Sequence, residues 1–206
     1  LPEPERVSTD TVNTGCIEAT VADGGTLAAL KLVDDGYEML ASDAFQGNEL
    51  TADFLEGFVR TSDRPAAGEC SRGRYLTELK TETWLGKMPV SVRLRFYQDS
   101  DRIDFHTKID FDKDTSTKQS DEAGHFYMEW DNVGAVRVHF NPSFPGEFFT
   151  DFPLSVERSS RQTIPGQSFG CLTNGDVGMT LINCGNIGYC RTPGKDKRPP
   201  GTESSS

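Results

Sequence analysis

The chain has 206 residues and a formal net charge of -11, from 32 acidic and 21 basic side chains. An acidic chain repels phosphate backbones and anionic membrane surfaces, so nucleic acid and membrane are not expected partners, while neutral sugars need no basic patch. No run of 18 apolar residues is present to span a bilayer, and the length suits one large domain with a sizeable core or two small ones. The chain begins at Leu1 rather than Met and is expected to be processed or excised from something longer.

In chain order, residues 1–11 are polar and proline-bearing and form an expected extended lead-in. Val12–Val21 is expected as one strand, Asp23-Gly24-Gly25 as a turn, Thr26–Val33 as a second strand, and Asp34-Asp35-Gly36 as another turn. Glu38–Asp63 holds a loop at Gln46-Gly47-Asn48-Glu49; Phe54, Leu55, Phe58 and Val59 fit a strand or a helical turn equally well. Ser62–Gly73 has a surface-loop composition, and Tyr75–Trp84 alternates, with Leu76, Leu79 and Trp84 as its anchors.

The clearest signal is Arg102–Asp112, which alternates without a break: Ile103, Phe105, Thr107, Ile109 and Phe111 share one face. Val90–Tyr97 alternates too, and Gln98-Asp99-Ser100-Asp101 joins the two as a hairpin. With those four residues as the loop, Arg95 faces Asp104, Arg93 faces His106, Phe96 faces Ile103 and Leu94 faces Phe105. Apolar then meets apolar and charge meets charge, with Phe105 and Ile109 buried, Asp104 exposed and an Arg95–Asp104 pair on the wet face.

Lys113–Gly124 is a polar loop, and His125–Trp130 and Ala135–Phe140 are expected strands. Asn141–Pro153 carries three prolines and Phe144, Phe148, Phe149 and Phe152, and is expected to be an irregular connection. Ser155–Thr163, Gln167–Leu172 and Val177–Asn183 are further strands; Asn174-Gly175 marks a hairpin tip with positive φ at Gly175. Residues 191–206, rich in Pro, Gly, charge and Ser, form an expected disordered tail. Many short strands and no long amphipathic helix predict an all-β, antiparallel two-sheet sandwich over residues 12–190.

Motifs for chemistry are sparse. Asp110-x-Asp112-x-Asp114 opens like a calcium loop, but Thr115 and Asp121 stand where Gly and Glu are needed. His106, His125 and His139 fall in different strands at no metal-like spacing. Glu129 with Asp131, or Asp104 with Asp110, are the carboxylate pairs available for sugar acid/base work, against a background of 32 acids. Cys16, Cys70, Cys171, Cys184 and Cys190 fit no zinc signature and are expected as free thiols; Cys171–Cys184 and Cys184–Cys190 are the alternative disulfides. No catalytic residue, cofactor-binding residue or metal ligand is assigned in the chain.

Two segments carry a resemblance. RLRFYQDSDRIDFHTKIDF, Arg93–Phe111, resembles the central hairpin of the C-terminal β-domain of α-mannosidases, glycoside hydrolase family 38. Val156–Tyr189 is similar to a second motif of that domain, with Asp176, Gly178, Leu181, Asn183, Gly185, Gly188 and Tyr189 as landmarks. Together they span most of residues 12–190; His125–Phe140 and Asn141–Phe152 depart from the pattern. The resemblance implies a supersandwich of the galactose-mutarotase kind and a non-catalytic domain of an α-mannosidase-type hydrolase. It implies a catalytic domain of the same polypeptide and mannosides as partners. The zinc site and the aspartate nucleophile would lie in that other domain, so no cofactor is expected in this chain. A free-standing carbohydrate-binding or mutarotase-like enzyme, with a carboxylate and histidines converging in a cleft, is the alternative, and an adhesion module is a third. A domain cut from its partner is expected to show an apolar patch, with Asn141–Phe152 as the candidate, unless those Phe cap their own core.

Overall fold

A computed structural model describes residues 5–7, 11–22, 24–41, 45–54, 57–64, 68–111, 136–152, 155–160, 163–165, 168–183 and 188–190. Among them the fold is all-β, every strand pairing is antiparallel, and the chain divides into two compact units. The first contains β1 (Glu5–Val7), β2 (Thr11–Asn13), β3 (Ile17–Ala22), β4 (Thr26–Leu32), β5 (Glu49–Phe54), β6 (Gly57–Arg60), β7 (Gly68–Arg72), β8 (Leu76–Leu85), β9 (Met88–Tyr97), β10 (Ile103–Ile109) and β11 (Arg137–His139). The second contains β12 (Glu147–Phe152), β13 (Ser155–Ser159), β14 (Thr163–Pro165), β15 (Phe169–Thr173), β16 (Gly178–Ile182) and β17 (Gly188–Cys190).

In the first unit a five-stranded sheet runs β1-β7-β8-β9-β10, beside three-stranded sheets β11-β5-β6 and β2-β3-β4. The β9–β10 register is the one the alternation predicts: Ile103 opposite Phe96, Asp104 opposite Arg95, Phe105 opposite Leu94, His106 opposite Arg93. Met88, Val90, Val92, Leu94 and Phe96 from β9 join Leu79 and Leu85 from β8 in the core. Phe105 and Ile109, expected buried, and Asp104, expected exposed, are all half-buried: β10 lies at the edge of its sheet, and Arg102 and Tyr97 cover Asp104. Trp84 is exposed, not an anchor: the inner face of β8 is Thr77, Leu79, Thr81, Thr83 and Leu85.

The turn at Gly24-Gly25 packs against this core. Gly25 has φ +72, and a Cβ there would lie 2.9 Å from Val92 Cγ1, so both backbone and space require glycine.

The expected single strand Val12–Val21 is two strands. Asn13 Oδ1 accepts from Gly15 N–H at 2.8 Å, Gly15 has φ +94, and Thr14 Oγ1 accepts from Ile17 N–H at 3.1 Å. These local bonds turn the chain at residues 14–16, so β2 folds back on β3. Two segments expected without regular structure contain strands: Gly68–Arg72 inside the Ser62–Gly73 loop pairs with Glu5–Val7, and Glu147–Phe152 inside the Phe-rich connection is β12. Phe54 and Phe58 belong to the strand pair β5–β6, with Gly57 at φ +131 between them.

In the second unit the order is β13-β12-β15-β16, with β14-β17 as a separate pair. Asn174-Gly175 forms the β15–β16 tip, Gly175 having φ +97. Phe144 is buried and Phe148 and Phe149 are half-buried, so these three do not form the expected exposed patch; the side chain of Phe152 lies outside the described residues. Among the described side chains of this sheet, Ile182 and Val156 are exposed apolar ones. The expected strand His125–Trp130 and tail 191–206 lie outside the described residues.

Candidate functional site

The densest convergence of acid, base and cation among the described residues lies where β5, β6 and β11 meet. It is built by the turn that enters β5. Gly47 N–H and Leu27 N–H each donate to the other residue's carbonyl, and a Cβ on Gly47 would lie 2.9 Å from Leu40 Cδ1. Asn48 takes φ 60, a left-handed conformation Asn tolerates, and its N–H donates to His139 O at 2.8 Å. Its side-chain amide donates to Gly25 O at 3.2 Å. The turn thereby sets Glu49 directly opposite His139 in the β5–β11 ladder.

The Glu49 side chain is 0% exposed. It accepts from Arg60 Nε at 2.7 Å and Nη2 at 3.0 Å, from Ser62 Oγ, and from Gln46 N–H at 3.0 Å. A carboxylate taken out of water survives only with this number of donors. His139 Nε2 lies 2.7 Å from Thr51 Oγ1, and its ring stacks on Phe45 at 4.0 Å between centroids. The Arg60 guanidinium covers Phe45 at 5.4 Å. Burial pushes the His139 imidazole down to about 4; Glu49 opposes this, and Arg137 and Arg60 add to it.

Carboxylate, imidazole, guanidinium and two hydroxyls are the ingredients of acid–base chemistry, but a general base must reach the proton it abstracts. Glu49 has no exposed surface and its oxygens are occupied. The cluster's physical work is to lock the turn at residues 45–48 to three strands.

The second polar array is the outer face of β8, β9 and β10. Glu78 is its hub, with Arg95 Nε at 2.8 Å, Lys80 Nζ at 3.1 Å and Arg93 Nε at 3.8 Å. Burial pulls Glu78 up, but hydrogen bonds from Arg95 and Lys80 outweigh it and hold the carboxyl below its usual range. Asp104 accepts from Arg102 Nε at 2.7 Å and from Tyr97 Oη at 2.6 Å. The Arg102 bond, opposed by burial and helped by Tyr97, holds Asp104 low, and Tyr97's own hydrogen bond to Asp104 pushes its phenol up. The expected Arg95–Asp104 pair is therefore replaced: Arg95 stands between Glu78 and Asp104 across the ladder and takes Glu78. Trp84 is exposed here, with the Arg64 guanidinium 5.9 Å from its ring centre.

The residues singled out in the sequence do not converge. His106 is exposed on the outer face of β10, while His139 is inside the buried cluster. Asp110 pairs with Lys108 at 2.9 Å, and Asp104 is held as above. Asp112, Asp114, His125, Glu129, Asp131 and Cys184 lie outside the described residues, as does the side chain of Cys190. Cys16, Cys70 and Cys171 are free thiols, so the alternative Cys171–Cys184 disulfide is not made; burial pushes the Cys70 thiol up. No group of three or more His, Cys, Asp or Glu suited to a metal converges among the described residues.

No protein-family model and no curated protein matches this chain. Sequence reasoning missed the Glu49–Arg60 pair. Its only local trace is an acid opening Glu49–Phe54, a segment with Leu50, Ala52 and Phe54 on one face and Thr51 on the other.

Proposed function

We propose that this chain is the non-catalytic β-sandwich domain of an α-mannosidase-type glycoside hydrolase. It packs on a catalytic domain of the same polypeptide and helps frame the mannoside site. The observation that carries the reading is the closure of Glu49: this carboxylate, set opposite His139, is 0% exposed and tied to Arg60, Ser62 and Gln46. Of the landmarks of the resembling motif, Asp176, Gly178 and Leu181 lie in the β15–β16 hairpin and Gly188 and Tyr189 in β17. Zinc would belong to the catalytic domain, and no residue of this chain is assigned to it.

The alternative, a mutarotase-like enzyme, draws on the meeting of Glu49, His139 and Arg60. It requires a carboxylate open to sugar, and Glu49 is not open. Aryl α-mannoside hydrolysis by the isolated chain, with and without zinc, separates the two classes. No turnover is expected; turnover abolished by Glu49→Gln in a folded protein would overturn the non-catalytic reading.

A further inference from the structure

We infer that the outer edge of β16 pairs antiparallel with β16 of a second copy of this chain. β16 is the last strand of its sheet, and no described strand lies beyond it. Asn174 N–H donates to Val177 O at 3.2 Å and Asn183 N–H to Ser168 O at 2.7 Å. Bonded positions alternate along an antiparallel ladder. Met179 and Leu181 therefore turn their backbone groups toward β15, and Gly178, Thr180 and Ile182 turn theirs outward. All three outward residues are exposed, Ile182 at 78%.

Edge strands are normally blunted by charge, proline or a bulge. The opposite edge, β13, carries Glu157 and Arg158. β16 is Gly-Met-Thr-Leu-Ile, with no charge and no proline, paired to β15 without a register shift.

The occupant is a second copy because the strand is complementary to itself. A twofold axis at Thr180 sets Thr180 against its own copy, a favourable cross-strand pair. Ile182 then covers Gly178 of the copy, where no side chain competes for the space, and Met179 meets Leu181. No charged residue of β16 faces a like charge, which matters for a chain of net charge -11. The proposal is independent of the mannosidase reading.

The test is the molar mass of the full chain by light scattering over a dilution series. Twice the chain mass is expected at high concentration. Thr180→Pro removes an outward N–H and no bond to β15, so it should give the single-chain mass with an unchanged melting temperature. Ile182→Lys should do the same by placing a charge on the edge, and Val156→Lys on β13 should leave the dimer intact. A wild-type chain that is monomeric throughout overturns the inference. So does a dimer that survives both β16 substitutions, or one lost on Val156→Lys alone.

Discussion

Replacing Arg60 with Met should be among the most damaging single changes in the first unit. The substitution keeps most of the side chain's bulk and removes the guanidinium that gives Glu49 two of its hydrogen bonds, at 2.7 and 3.0 Å. Glu49 has no exposure, so its carboxylate cannot recover those bonds from water. Stranding a buried charge costs about 3–5 kcal/mol. That is a large fraction of the roughly 5–15 kcal/mol that holds a domain folded. Arg95→Met is the matched control. Arg95 meets Glu78 at a similar 2.8 Å and is about as exposed as Arg60, 34% against 32%, but Glu78 keeps 14% exposure where Glu49 has none. An ion pair of this kind contributes about 0–1 kcal/mol. The assay is urea denaturation of the three proteins at neutral pH, followed by circular dichroism. Burial, not distance, sets the two costs apart. Equal losses for Arg60→Met and Arg95→Met, or a loss below about 1 kcal/mol for Arg60→Met, would refute this reasoning.

Other outcomes follow from the same geometry. Gly25→Ala should destabilise by about 1–3 kcal/mol, since it adds strain at φ +72 and a clash with Val92, and Val92→Ala should restore part of the loss; melting temperatures of the single and double variants check both. Phe96→Ala, at 1% exposure, should cost about 3–5 kcal/mol in urea denaturation, and Phe105→Ala clearly less, because Phe105 is half-buried on an edge strand. His139 stays neutral in the fold down to about 4, against an ordinary 6.5 when unfolded. Its neutral form therefore supports stability above pH 6.5, and up to about 3 kcal/mol is lost as pH falls from 6.5 to 4. His139→Gln should flatten that part of the stability–pH curve; an unchanged slope would contradict the burial of the ring.

The β9–β10 hairpin was legible because both of its faces repeat every second residue, and only one register satisfies both at once. The Asn174-Gly175 tip was legible from backbone chemistry alone. The turn at residues 14–16 was hidden because Val12, Ile17, Ala19 and Val21 are apolar on both sides of it, and the signal was carried by Asn13 and Gly15. β12 was hidden by its prolines: Pro142 and Pro145 precede the strand and Pro153 follows it, so they bound the strand rather than interrupt it. The buried cluster could not be read locally. Glu49 and His139 are brought together by pairing between strands far apart in the chain, and β5 is buried on both faces, so polar and apolar residues there do not alternate with exposure.

The central claim is tested most directly on the native polypeptide that carries this sequence. It is to be purified with an antibody raised against the isolated chain, sized by mass spectrometry, and assayed for zinc and for aryl α-mannoside hydrolysis. The proposal predicts a polypeptide much longer than these 206 residues, containing zinc and cleaving the mannoside, while the isolated chain does not. A native protein no longer than this chain, or a longer one without mannosidase activity, would contradict it.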